Sequence, residues 1–173
     1  LEIGCGTGIS TLAMAKDEPH VDVLAVEVYK RGLAQLLSAI DREGVTNIRL
    51  IRGDGIDVLE HLLAPGSLTG ARVFFPDPWP KARHHKRRLL QPSTVALIAD
   101  RLRIGGLLHA ATDHADYAEQ IAEVGDAEPR LRRVSADTDP ADLPISTVRP
   151  TTKYESKAED AQRAVTEFFW ERV

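Results

Sequence analysis

The chain is poor in sulfur and in aromatic rings: one cysteine, one methionine, two tryptophans, three tyrosines and four phenylalanines in 173 residues. A lone Cys5 excludes an internal disulfide and a cysteine-based zinc cluster, so a reducing compartment, the cytoplasm, is expected. No apolar run approaches the roughly 18 residues needed to cross a bilayer, so no membrane association is expected. The chain also lacks an initiating methionine. It opens on LEIG, which has the character of the end of a buried strand, and the reading is that an N-terminal segment of the natural chain precedes Leu1.

What is present describes a globular protein: 43% hydrophobic and 28% charged residues, enough apolar material for one core, and a single domain over 1–173 is expected. Lysine and arginine total 22 against 26 acids. Five of those cations, Lys81, Arg83, Lys86, Arg87 and Arg88, fall within eight residues, so the rest of the chain is strongly acidic. A concentrated basic patch on an acidic surface attracts a polyanion locally and makes RNA or DNA a candidate partner.

Short apolar runs alternate with amphipathic segments, the pattern of an α/β doubly wound sheet with helices on both faces. Strands are predicted at Leu1 to Ile3, Val21 to Val26, Asn47 to Ile51, Arg72 to Phe75 and Leu107 to Ala111. Leu33, Leu36, Leu37 and Ile40 recur at helical spacing before Gly44, and Val95, Ile98, Ala99 and Leu102 do so before Gly105 and Gly106. Another helix is predicted over Ala115 to Val124. Arg130 to Ala136 and Ala164 to Val173 are predicted as a closing antiparallel pair, with Phe168 and Trp170 on one face. Residues 137–150, with three prolines and three aspartates, read as a loop.

LEIGCGTG sets Gly4, Gly6 and Gly8 between a strand and a helix starting near Ile9, where bare backbone can approach a nucleotide-like ligand. A dinucleotide fingerprint needs its third glycine where Ile9 stands, which disfavours a pyrophosphate. The spacing suits S-adenosylmethionine, which has no phosphate, and Glu2 can face its ammonium. Glu27 closes the second strand, where an acid accepts hydrogen bonds from ribose hydroxyls, and Asp54 closes the third, where an adenine amino group would be met. Taken singly, each acid reads as a solvated strand end or helix cap; three strand ends together favour a ligand site.

Phe74 to Arg88 reads FFPDPWPKARHHKRR. Pro76, Pro78 and Pro80 cannot continue the strand that Phe74 and Phe75 finish, so an extended loop is predicted to hold Asp77 and Trp79 over the pocket. His84 and His85 have no second cluster at ligand spacing, and no metal site is expected.

LEIGCGTG, FFPDPWPKARHHKRR, HAATDHADYAE and RPTTKYE, in that order, closely resemble bacterial tRNA (guanine-N7-)-methyltransferases of the TrmB type, over nearly the whole chain. The resemblance implies the class I S-adenosylmethionine-dependent methyltransferase fold, Rossmann-like, and methyl transfer to guanine N7 in the tRNA variable loop with S-adenosylhomocysteine as by-product. It implies that Glu2, Glu27, Asp54 and Asp77 are cofactor-site acids, with Asp77 also catalytic. It matches Lys81, Asp113 and the segment Thr152, Lys153, Tyr154 and Glu155 to substrate-contacting positions. Lys81, Arg83, His84, His85, Lys86, Arg87 and Arg88 match the tRNA-interacting stretch. Thr152 to Glu155 also fits a helix capping box, and both readings stay open. Two other classes are carried beside this one: a nicotinamide-dependent oxidoreductase, and a noncatalytic RNA-binding module. The sequence leaves monomer and homodimer equally open.

Overall fold

The computed structural model describes residues 1–135, 137–150 and 164–173. Among the described residues, seven strands form one sheet in the order β3-β2-β1-β4-β5-β7-β6. The strands are β1 (Glu2–Ile3), β2 (Val23–Glu27), β3 (Ile48–Arg52), β4 (Leu68–Phe74), β5 (Leu102–Thr112), β6 (Leu131–Arg133) and β7 (Thr166–Arg172). The first five run parallel, and β7 inserts antiparallel between β5 and β6. The helices are α1 (Ile9–Asp17), α2 (Lys30–Glu43), α3 (Gly55–His61), α4 (Pro92–Arg101) and α5 (Ala115–Ala127). No helix among the described residues is long and apolar enough to cross a membrane.

The parallel strands are short and apolar because both faces are covered. One core unites Ile3, Val73, Ile98, Leu108, Ile121 and Trp170; a second packs Ala15, Ala25, Leu33, Leu36 and Ile48 beneath α1 and α2. The face predicted for α4 is buried throughout. That of α2 is not: Leu33 and Leu36 are buried, whereas Leu37 is 58% exposed. The helix contacts the sheet along a stripe narrower than its leucines suggest. Gly44 caps α2 in the left-handed conformation, as its place after the last apolar residue implies.

The closing antiparallel pair is present as β6 and β7, and Phe168 and Trp170 stack with ring centroids 5.5 Å apart. Two strand starts differ most from expectation. β4 begins at Leu68, and β5 begins at Leu102, directly after α4. Gly105, at φ 78°, and a register shift between Leu68 and Gly70 let the ladder continue through residues that read as a helix stop. Helix α3 and a 3-10 turn at Ala82–Arg87 add to the predicted elements. Residues 137–150 are irregular apart from a short 3-10 turn at Pro140–Asp142.

Candidate functional site

The strand order reverses direction at β1, which lies between β2 and β4. Ligands of open α/β sheets bind beyond the carboxyl ends of the strands at such a point. A cleft of about 710 Å³ opens there, lined by Glu2, Gly4, Gly6, Glu27, Asp54 and Asp77 among others. The structure therefore gathers four acids from three strand ends and the following loop around one glycine turn.

Gly4, Gly6 and Gly8 all have positive φ (78°, 56° and 79°), which bends the chain from β1 back into α1. Open space surrounds the missing side chains of Gly4 and Gly6, so ligand atoms can reach the backbone. Gly8 does not line the cleft. It caps α1, and a Cβ there would meet Leu36 at 2.4 Å, so its role in this fold is packing. Sequence reasoning missed Gly32: a Cβ on it would stand 2.3 Å from the Gly6 carbonyl oxygen, so α2 presses its bare backbone against the turn. The signal was a glycine inside a helix, which marks close approach.

Glu27 holds the turn from the other side. Its Oε2 accepts from the Gly6 N–H at 2.9 Å and its Oε1 from the Tyr29 N–H at 2.9 Å. A carboxylate has about four lone-pair directions, so room for a diol remains. Asp54 caps α3, accepting from the Ile56 N–H at 2.7 Å through Oδ1. Its second oxygen is not needed by the cap.

Glu2 is 3% exposed, and its Oε2 has no hydrogen-bond partner among the described residues. Burial pushes its carboxyl above the usual range, with the neighbouring Thr11 hydroxyl and then the Arg72 guanidinium opposing. A buried carboxyl with one unpartnered oxygen beside bare glycine backbone suits a ligand with a cationic head. Cys5 lines the same cleft, but burial, reinforced by Glu2 and Glu27, pushes its thiol up to about 12, which keeps it protonated and unreactive.

Beyond β4 the chain is strained. Phe75 (φ 50°) and Trp79 (φ 43°) adopt left-handed backbone that side chains disfavour, and with Pro76 and Asp77 they form the far wall of the cleft. Asp77 is exposed. Arg87 lies over the Trp79 ring, 5.0 Å from its centroid, and His84 meets that ring edge-on at 5.9 Å. Asp113 follows Thr112 at the carboxyl end of β5, the strand next to β4; it is half-buried.

The basic segment divides. Lys81, Arg83, Lys86 and Arg87 are exposed, and His84 and His85 are half-buried. Arg88 departs from its expected place with the tRNA-facing cations. It is 2% exposed, and its guanidinium is engaged by Pro78, Gln120 and Asp116. A guanidinium so enclosed cannot also reach a phosphate. Thr152, Lys153, Tyr154 and Glu155 lie outside the described residues. The chain leading to them is fixed at Ser146, whose N–H donates to Glu18 Oε1. Glu18 pairs in turn with Arg72 at 2.6 Å, both almost fully buried. Arg149 also binds Glu167 at 2.8 Å, and Glu167 bonds the buried His109 at 2.6 Å. Burial lowers the pKa of His109, so this ring is neutral near pH 7.

Known proteins resemble this chain in sequence and in fold. A family model described as "Putative methyltransferase" matches residues 1–168. The chain is similar to the tRNA (guanine-N(7)-)-methyltransferase of Mycolicibacterium paratuberculosis (strain ATCC BAA-968 / K-10), 73% identical over 172 residues that cover 99% of this chain and 65% of that protein. Against that of Mycobacterium leprae (strain TN) the identity is 66%, covering 99% and 74%. Geranyl diphosphate methyltransferase in complex with SAM shares the fold, with a TM-score of 0.60 at 15% identity, covering 99% of this chain and 77% of that one. The chain thus spans 65% of the length of the first of these relatives.

Proposed function

The chain belongs to the tRNA (guanine-N(7)-)-methyltransferase family, and on that premise we propose that it carries the site at which S-adenosylmethionine methylates guanine N7 in the tRNA variable loop. The products are 7-methylguanosine and S-adenosylhomocysteine. Residues 1–173 are read as one methyltransferase domain, acting in the cytoplasm, where a lone buried thiol is at home.

The observation that carries this reading is the cleft itself: Glu2, Glu27 and Asp54 converge on the glycine turn, with Asp77 facing them from the β4 loop. The residues fit the cofactor. The orphaned Oε2 of Glu2 suits the ammonium of the methionine part, and bare Gly4 and Gly6 leave room beside it. Glu27 and Asp54 would hold ribose and adenine. When bound, S-adenosylmethionine supplies an electrophilic methyl group on a sulfonium.

Guanine N7 carries a lone pair and no proton, so the site needs alignment more than a strong base. Orientation alone can lower such a barrier by roughly 7–11 kcal/mol. Asp77 and Asp113 leave adjacent strands at the same sheet edge, and as carboxylates they accept from the guanine N1 and N2 donors. Their charge offsets the positive charge the purine gains on methylation. Lys81, Arg83 and Lys86 hold phosphates, which gives affinity and register but reads no base.

Incubating unmodified tRNA with the protein and labelled S-adenosylmethionine, followed by nucleoside analysis, tests the reading. Label in 7-methylguanosine is expected. Label in another nucleoside, or none, overturns it. Thermal stabilisation by NAD in place of S-adenosylhomocysteine would instead favour an oxidoreductase.

A further inference from the structure

Arg88 has the sequence context of a phosphate-binding cation and the surroundings of a structural one. Its neighbours at 86 and 87 are exposed, whereas Arg88 is 2% exposed. Each of its three nitrogens donates: Nε to the Pro78 carbonyl at 2.7 Å, Nη1 to Gln120 Oε1 at 2.7 Å, and Nη2 to Asp116 Oδ2. The guanidinium also lies over the Tyr117 ring, 4.7 Å from its centroid. A buried cation is tolerated only when paired and hydrogen-bonded, and here an acid and two neutral acceptors meet that condition.

The partners lie on two different elements. Pro78 is the residue after Asp77 in the strained loop. Asp116, Tyr117 and Gln120 belong to α5, whose first turn follows Asp113 by two residues. The loop end is exposed at Asp77 and departs from β4 through left-handed backbone at Phe75, whereas α5 is anchored in the core by Tyr117 and Ile121. The same helix supports the chain after Arg88, since the Tyr117 hydroxyl accepts from the Leu90 N–H at 3.0 Å and Gln120 Nε2 donates to the Leu90 carbonyl at 3.2 Å.

We propose that Arg88 is a positioning residue that fastens the Asp77 loop to the start of α5 and so sets the spacing between Asp77 and Asp113 across the target base. The inference rests on the methyl-transfer reading and adds to it a residue that touches neither substrate nor cofactor. Only arginine offers three donor directions in one rigid plane; lysine keeps the charge but is a point donor. Arg88 holds the Asp116 carboxyl below its usual range, so the pair is charged throughout the working pH range.

The test compares Arg88→Lys, Asp116→Asn and the double variant with the parent protein. Single-turnover methylation of tRNA, affinity for S-adenosylhomocysteine, and the salt dependence of tRNA binding are measured on each. Arg88→Lys should lower the methylation rate about 100-fold, the scale of a misplacement near 1 Å. Its S-adenosylhomocysteine affinity should stay within about twofold of the parent's, and its salt slope should match the parent's, because no phosphate contact is lost. Asp116→Asn should lower the rate less, and the double variant should be no slower than Arg88→Lys, since both remove one coupled link. An intact rate with a shallower salt slope would return Arg88 to the phosphate-binding cations and overturn the proposal, as would additive effects. Should Arg88→Lys fail to fold, Asp116→Asn decides alone: a parental methylation rate overturns the proposal. An inactive parent sinks the methyl-transfer reading and the proposal with it, whereas an active parent with unaffected variants sinks the proposal only.

Discussion

Phe75 and Trp79 both stand at positive φ, 50° and 43°, one on each side of Pro76-Asp77-Pro78. Two non-glycine residues in this region within five positions place backbone strain on the loop that carries Asp77. Replacing Trp79 by alanine and, separately, by glycine isolates the backbone contribution, because both remove the indole. The glycine variant should be more stable than the alanine variant by about 1 kcal/mol, the cost of left-handed backbone for an L-residue. Denaturant unfolding of the two measures it; equal stabilities would remove the strain from the account.

Asp77→Asn should leave folding and S-adenosylhomocysteine affinity near the parent values and lower turnover by about 100-fold, the scale of losing one preorganised electrostatic contact. The carboxylate is exposed at the cleft wall, so the fold does not depend on its charge. Turnover within a factor of two of the parent would exclude a catalytic role.

Replacing Lys81, Arg83 and Lys86 with glutamine should weaken tRNA binding and reduce the slope of log affinity against log salt by about two to three, close to one per phosphate released. All three side chains are exposed, so melting temperature should not move. An unchanged slope would return the segment to an ordinary solvated surface.

Glu2 ties stability to pH. Its folded pKa lies above its unfolded value of about 4.3, so the folded protein holds this proton more tightly. The contribution is full below the unfolded pKa and fades as pH rises through the folded one. Glu2→Gln removes the titration, so the variant should gain stability relative to the parent as pH increases from 4 towards neutrality, while losing affinity for S-adenosylmethionine. Melting curves across about pH 4 to 8, with calorimetric titration of the cofactor, read both effects; a constant stability difference would contradict the first.

Much of this site was legible because its parts are punctuation. Glycines after a strand, acids at strand ends and prolines that stop a strand each leave a local mark, and those marks led to Glu2, Glu27, Asp54 and Asp77. The antiparallel pair was legible from the aromatic alternation of Phe168 and Trp170. What escaped depends on packing partners distant in sequence. Nothing in KRR says which cation turns inward; that is decided by Asp116 and Gln120 on a helix 28 and 32 residues on. The buried pairing of Arg72 with Glu18 joins residues 54 apart, and each alone reads as surface charge. Helix α3 escaped because Asp54, its cap, also reads as a ligand. Leu37 misled in the opposite sense, an apolar residue at helical spacing that stays exposed among the described residues.

The place of β7 between β5 and β6 makes one edge of β5 depend on a distant strand. In a chain ending before Thr166, β5 would have one edge paired with β4 and the other bare, since the strand that covers it lies more than 50 residues downstream. Without β7, the middle of the sheet exposes a row of unpaired backbone groups to any other extended chain. A truncation ending at residue 165 should therefore aggregate or be captured by a chaperone more readily than the full chain.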